Sequence, residues 1–288
     1  MDTNILMLMA DTQNISFSNS EIVNTVLSGV LMAIVPVIAF FIMRKYMKFD
    51  VKSVVIGAVV WFVFAIVLKS VILLPVLALD NSVSRAVKGN VWLYSFVAAL
   101  AAGLFEETGR FAAFKTVLKK NDDKQDSLSY GFGHGGFEAL YLGLQIASIG
   151  LMMFMINKNG INAVAKGATP EMTKQILASI EQYCSKDIGH ALLFGFERIP
   201  AMITHITFSV MVFAAVKERK MWLYPMAMFL HFAIDYMLVL YYAEVISLLL
   251  AEIIFAVLTV ALFVAVIKLV YNKTDYKKEL ANWHSGNI

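Results

Sequence analysis

The sequence is poor in the residues on which secreted and soluble proteins rely. Cys184 is the one cysteine among 288 residues, which excludes a disulfide framework and a cysteine-based zinc site. Charged residues make up 16% of the chain, whereas about 25% is usual. Residues 1–20 contain no lysine or arginine, so we expect no secretory signal peptide, which needs a basic start. The net charge of +3 is too small to favour a nucleic-acid partner.

Apolar residues are correspondingly abundant. They make up 59% of the chain, against about 45–50% in soluble proteins, and the mean hydropathy is +0.71. A soluble fold cannot bury that much apolar surface, which excludes a soluble enzyme, a nucleic-acid module and a disordered chain. A membrane-spanning helix needs about 20 apolar residues. Seven segments are long enough, near 22–46, 53–79, 91–118, 127–156, 188–216, 221–243 and 245–270.

These segments predict an all-α bundle of seven helices, a single transmembrane domain over residues 1–288 of a multi-pass cell-membrane protein. The long connection 157–187 is polar, holds a helix-like stretch from Pro170 to Gln182, and is expected outside the bilayer. Fifteen lysines and arginines fall on one side, in 44–52, 115–126, 217–220 and 268–278, and six on the other. The basic side is the cytoplasm. We therefore expect the N-terminus outside, the C-terminus in the cytoplasm and 157–187 as an extracytoplasmic loop.

Several polar side chains interrupt the apolar spans. A charged residue at the bilayer centre costs roughly 2.5–3.5 kcal/mol on insertion scales, so such residues usually face the bundle interior and mark a functional site. Those inside the predicted spans are Lys69, Glu106, Glu107, Arg110, Glu138, Glu197, Arg198, Asp235, His134, His205 and His231. Lys69 is expected to have a structural role, by snorkelling or by pairing with an acid.

The spacing and depth of these residues predict one polar cavity. His134 and Glu138 are four residues apart, as are His231 and Asp235, so each pair shares a helix face. Glu106 lies about 18 Å from the cytoplasmic end of its span, and the three histidines lie about 11–18 Å from theirs, at 1.5 Å per residue. Four helices thus present acids and histidines at a similar depth. We expect them to converge in the cytoplasmic half of the bilayer or near its midplane.

Two adjacent glutamates and three histidines indicate chemistry with an activated water. One carboxylate would act as general base, and an imidazole would assist it or stabilise an oxyanion, which suits amide hydrolysis. Zinc is the alternative, held by His134, His205, His231 and Glu138, although the His-Glu-x-x-His signature is absent. A proton-coupled transporter or channel is the alternative from another class, because relays also use buried acids and histidines. A catalytically inactive membrane scaffold or receptor is the third function class.

Three segments resemble motifs of the CAAX prenyl protease and bacteriocin-processing superfamily. The stretch FEETGR at 105–110 resembles its paired-glutamate motif. YGFGH at 130–134 resembles its aromatic-x-x-x-His motif, and HFAID at 231–235 resembles its last His-x-x-x-Asn/Asp motif. The combination is most similar to the YhfC-like branch, with likeness to PrsW-type proteases in GFGHGGFE at 131–138. The likeness covers 91–243, which it implies is the catalytic core.

The resemblance implies an intramembrane endopeptidase of glutamic type. Glu106 would be the general base on water, helped by His134, while Glu107 and Arg110 would form a supporting ion pair and His231 would stabilise the oxyanion. The substrate would be a membrane-embedded or lipidated peptide, and no cofactor would be needed. Further polar positions of the related branches match Glu138 and His205. Arg198, seven residues before His205 on the same face, is expected to have a supporting role.

Two positions depart from the superfamily pattern. Two residues separate Glu107 from Arg110 instead of the usual three, which moves Arg110 by about 100° around the helix. Asp235 stands where prenyl proteases carry asparagine. An ionised aspartate cannot donate to an oxyanion, so we expect Asp235 to orient His231 or to be protonated.

Overall fold

The computed structural model describes residues 15–47, 49–79 and 81–273. Helices joined by loops make up these ranges, and no strand occurs within them. The predicted all-helical class is confirmed. Residues 1–14, which include most of the segment in which no signal peptide is expected, lie outside the described residues, as do Lys48, Lys277 and Lys278 of the charge count.

The long helices follow the predicted spans closely. They are α1 Asn19–Tyr46, α2 Val51–Trp61, α3 Val91–Lys115, α4 Gln125–Asn159, α5 Ile188–Lys217, α6 Leu223–Met237 and α7 Leu248–Leu269. The span that starts with α2 continues as a π-helix Phe62–Leu68, an α-helix Lys69–Leu73 and a second π-helix Leu74–Ala78. Shorter helices are Ser82–Lys88, Asn162–Ala165, Pro170–Tyr183, Val239–Tyr242 and the 3-10 turn Tyr271–Lys273. The predicted helical stretch from Pro170 is present.

Six helices within the described ranges are long and apolar enough to cross a membrane. Ser82–Lys88 and Val91–Lys115, bent by 103° at a short break, together qualify as a seventh. The chain is thus a multi-pass membrane protein with six to seven spans. The third span ends as a helix at Lys115 rather than at the predicted Leu118.

Short polar side chains begin several of these helices. The Asp50 carboxylate accepts a hydrogen bond from the backbone N–H of Ser53 at 2.8 Å, which caps α2. The Asn90 side chain accepts from the backbone N–H groups of Trp92 and Leu93 at 3.0 and 3.1 Å, which caps α3. Such caps satisfy backbone donors that have no partner within the helix.

The chain divides into two compact units. The first comprises residues 1–39 and 139–198, and the second 40–138 and 199–288. In the first unit, the Asn157 side chain donates to the Phe17 carbonyl at 2.6 Å and accepts from the Phe17 N–H at 2.9 Å. A Cβ atom on Gly29 would lie 2.5 Å from the Gly143 carbonyl oxygen, so these two helices are in backbone contact.

The second unit is held together by close helix contacts at glycine. A Cβ atom on Gly133 would lie 2.0 Å from the Val54 carbonyl oxygen, and one on Gly131 would lie 2.5 Å from Ile206 Cα. Helix α4 therefore touches the backbones of α2 and α5 directly. Likewise, a Cβ on Gly103 would lie 2.8 Å from the Met228 carbonyl oxygen, between α3 and α6. Small residues permit this close approach in membrane proteins.

Candidate active site

Four helices of the second unit contribute polar side chains to one buried cluster. Helix α3 carries Glu106, Glu107 and Arg110, α4 carries His134 and Glu138, α5 carries His205, and α6 carries His231 and Asp235. Glu107, Arg110 and His134 are completely buried. The convergence expected from helix depth is present in the structure.

Glu106 is held from two sides. Its Oε2 lies 3.1 Å from His134 Nε2, and because an ionised carboxylate can only accept, the imidazole donates this hydrogen bond. Its Oε1 lies 3.9 Å from Lys69 Nζ. The sequence predicts only a structural role for Lys69, although a lysine within an apolar span is a signal for a site residue.

Glu107 binds a different pair of partners. Arg110 Nη1 donates to its two carboxylate oxygens at 2.7 and 3.0 Å. His231 Nδ1 lies 2.8 Å from Oε1. The shortened spacing places Arg110 one helical turn after Glu107, within reach of its carboxylate. The predicted Glu107–Arg110 ion pair is therefore present, despite the departure from the superfamily pattern.

Arg110 also determines the state of His205. Its Nη2 lies 3.2 Å from His205 Nδ1. A guanidinium has no acceptor, so Nδ1 accepts this hydrogen bond and the imidazole proton resides on Nε2. His205 Nε2 lies 2.8 Å from Glu138 Oε2. Arg110, His205 and Glu138 thus form a line of close contacts from α3 through α5 to α4.

His231 lies beside three carboxylates. Besides Glu107, its ring reaches Asp235 Oδ2 at 3.5 Å and Glu106 Oε2 at 3.9 Å, both from Nε2. The Phe208 ring stacks on the imidazole with centroids 5.1 Å apart. With 36% side-chain exposure, Asp235 lies at the edge of the cluster, and its role in orienting His231 stays a prediction.

Two further residues of the sequence predictions, Arg198 and Tyr130, have other neighbours. Arg198 belongs to the first unit, where it forms an ion pair with the adjacent Glu197. Its supporting role stays a prediction. Tyr130, which the sequence marked only as the aromatic position of a motif, is completely buried, with its ring 6.1 Å from that of His134 and 4.7 Å from that of Phe114.

Four of the cluster residues form a group that suits a metal ion. One ligand atom from each of Glu106, His134, Glu138 and His205 lies within 4.8 Å of the others. The zinc set predicted from the sequence had His231 in place of Glu106. The structure differs because Glu107 takes the Nδ1 of His231, whereas Glu106 lies beside His134.

The donor chemistry fits zinc, which binds imidazole nitrogen and carboxylate oxygen. In addition, His134 Nδ1 is buried, and no hydrogen-bond partner for it occurs among the described residues. A buried nitrogen without a partner is costly unless something binds it. The group therefore fits a zinc site in ligand type and number.

Comparison with known proteins identifies the family. A family model described as YhfC intramembrane metalloprotease matches residues 31–256. The chain belongs to this family. A curated relative, the uncharacterized membrane protein YhfC of Bacillus subtilis (strain 168), is 30% identical over 232 residues, covering 80% of this chain and 88% of the relative. No solved structure matches the chain.

The family match covers every residue of the cluster, from Lys69 to Asp235. It supports a protease among the function classes considered from the sequence, since the family is described as a metalloprotease. The description of the relative goes no further than a membrane protein.

Proposed function

We propose that this protein is a metal-assisted intramembrane peptidase that hydrolyses a peptide bond in a membrane-embedded or lipidated substrate. The observation that carries the proposal is the convergence of Glu106, His134, Glu138 and His205 from three helices. Membrane proteins rarely place charged residues in their spans, and those that occur usually serve function. We further propose that 91–243 is the catalytic core and that it opens to the cytoplasmic half of the bilayer.

The charge of the cluster supports a bound cation. Besides the histidines, four carboxylates face two basic side chains there: Glu106, Glu107, Glu138 and Asp235 against Lys69 and Arg110. An excess of negative charge in a low dielectric is costly and is usually neutralised by a metal or by protons. Zinc held by Glu106, His134, Glu138 and His205 would polarise the scissile carbonyl and make bound water a better nucleophile.

The other cluster residues would serve binding and positioning. His231 is oriented by Glu107 Oε1 and Asp235 Oδ2, and its Nε2 lies near the Glu106 carboxylate. From there it would donate a hydrogen bond to the oxygen of the developing tetrahedral species. Glu107 and Arg110 would keep His231 and His205 in these orientations, as partners of catalytic histidines commonly do.

A glutamic peptidase is the second candidate. It is favoured by the direct Glu106–His134 hydrogen bond and by Arg110, whose donation to His205 Nδ1 leaves a proton on Nε2. In this form Glu106 would accept a proton from water, and His134 would hold its carboxylate in place. Membership of the CAAX protease superfamily, with its likeness to PrsW-type enzymes, is part of the same proposal.

Purified protein in liposomes provides the test. The substrates are a quenched fluorescent transmembrane peptide and a quenched farnesylated peptide, each assayed with wild type, Glu106→Gln and His134→Ala. We expect both variants to lose cleavage while they remain folded, and we expect His190→Ala to retain it. His190 is a suitable control because it is a histidine paired with an acid, Asp187, in an exposed position. Full activity in Glu106→Gln would refute the mechanism.

Zinc analysis separates the metal-assisted peptidase from the glutamic peptidase. For the metal-assisted form we expect about one zinc per chain by elemental analysis, loss of activity with 1,10-phenanthroline and recovery on adding zinc. Activity that persists in metal-free protein would establish the glutamic form. If liposomes carrying the wild-type protein show ion flux instead of cleavage, a transporter or channel replaces the peptidase.

A further inference from the structure

Lys69 lies within a membrane-spanning segment, and the superfamily motifs do not include it. It starts the helix Lys69–Leu73, directly after the π-helix Phe62–Leu68. Its ammonium group lies 3.9 Å from Glu106 Oε1, and its side chain is 27% exposed against 6% for that of Glu106. The lysine therefore reaches the cluster from its more exposed edge.

The π-helix accounts for the direction of this side chain. A π-helical hydrogen bond spans one residue more than an α-helical hydrogen bond. The extra residue rotates the residues that follow it by about 100° around the helix axis. An uninterrupted α-helix from Val51 would direct Lys69 to a different face. π-helical insertions in α-helices are frequent at functional sites, where they re-aim side chains.

A close contact with α3 keeps this segment in place. A Cβ atom on Gly109 would lie 2.7 Å from Cγ of Phe64 and 3.0 Å from Cγ1 of Val60. Gly109 is three residues after Glu106, so it lies one turn along the same helix. The absence of a side chain at 109 thus allows the π-helix to pack against α3 next to the glutamate, which brings Lys69 within range of it.

We infer that Lys69 is a positioning residue that holds Glu106 Oε1 and leaves Oε2 directed at His134. This inference rests on the proposed peptidase function for its activity readout. Glu106 Oε1 then lies beside Lys69, while Oε2 lies beside His134 at 3.1 Å and His231 at 3.9 Å. A lysine that served only to stabilise insertion would extend its ammonium group to the membrane surface instead.

The kinetic test compares Lys69→Met and Lys69→Arg in the liposome assay with the quenched transmembrane peptide. We expect Lys69→Met to lower kcat by about 10–100-fold, as loss of a partner of an active-site ligand does. We expect KM to change by less than about threefold, because substrate binding is not removed. Lys69→Arg keeps the charge and should recover most of the activity. The control is Lys268→Met, an exposed lysine in the last turn of α7.

Two kinetic outcomes would overturn the inference. If Lys69→Met retains wild-type kcat and KM, the lysine has only a structural role. If it raises KM at unchanged kcat, Lys69 contacts the substrate rather than positioning Glu106.

A thermal double-mutant cycle tests the contact without any turnover. Melting temperatures are measured for Lys69→Met, Glu106→Gln and the double variant in the same detergent. We expect the two single effects not to add, because the residues interact. Additive effects would overturn the inference. If wild type cleaves no peptide, the proposed function fails, while this cycle still decides whether Lys69 and Glu106 are coupled.

Discussion

Replacing Arg110 with methionine would remove the only guanidinium that the structure shows bound to Glu107 within the described residues. Both side chains are completely buried. After the change, Glu107 would keep one partner, His231. His205 Nδ1 would lose its donor as well. A buried carboxylate without its cation is therefore the main source of the expected loss of stability.

The size of the effect follows from this burial. Breaking a buried ion pair by removing one partner costs about 3–5 kcal/mol. At roughly 2–4 °C per kcal/mol for a domain of about 150–250 residues, the melting temperature should fall by about 6–20 °C. The second variant, Glu107→Gln with Arg110→Met, removes both charges and keeps an amide oxygen for His231. This double variant should recover at least half of the fall in melting temperature.

The assay is thermal unfolding of purified protein in detergent, followed by the fluorescence of its tryptophans. Arg110→Lys is the matched control, since it keeps the charge but cannot reach Glu107 and His205 together, and it should fall between wild type and Arg110→Met. The reasoning is refuted if Arg110→Met melts within about 2 °C of wild type. It is also refuted if the double variant is no more stable than Arg110→Met.

Further predictions concern packing, pH and metal. Gly133→Ala should lose about 1–3 kcal/mol of stability, because the new methyl would meet the Val54 carbonyl, whereas Gly89→Ala should change the melting temperature little. Burial opposes ionisation of Asp50, but hydrogen bonds from Ser53 outweigh it and lower the pKa of this carboxyl. The stability that Asp50 contributes is therefore fully present above its unfolded pKa of about 4 and lost below its native pKa. The melting-temperature difference between wild type and Asp50→Ala should shrink as the pH falls through that range. Zinc at about 100 times its dissociation constant should stabilise wild type by about 2.7 kcal/mol, and a melting temperature unaffected by zinc or chelator would contradict the metal site.

The membrane-spanning segments could be predicted because they depend on local composition. An apolar run of sufficient length must cross the bilayer as a helix, whatever surrounds it. The seven predicted segments thus agree with the observed helices to within a few residues. The π-helices after Trp61 were not predicted, since their residues are as apolar as the α-helix before them and hydropathy carries no signal for an inserted residue.

The candidate site could be predicted as a set of residues but not as a set of pairs. Buried polar residues in apolar spans identified Glu106, Glu107, His134, His205 and His231 as members. Spacing along one helix allowed Arg110 to reach either Glu106 or Glu107, and only the resemblance implied its pairing with Glu107. The zinc set was predicted with His231, whereas the structure groups Glu106 with the other three ligands.

The sequence by itself determined which segments cross the membrane and which side chains must find polar partners there, because burial in lipid penalises each such group wherever its partner lies. Only the tertiary structure decided which partner each one takes. Glu106 binds His134 and Lys69, while the adjacent Glu107 binds Arg110 and His231. That choice depends on the rotation and depth of each helix. Backbone contacts at glycines and one π-helical insertion set this rotation and depth. The spacing of residues along a single helix encodes neither the contacts nor the insertion.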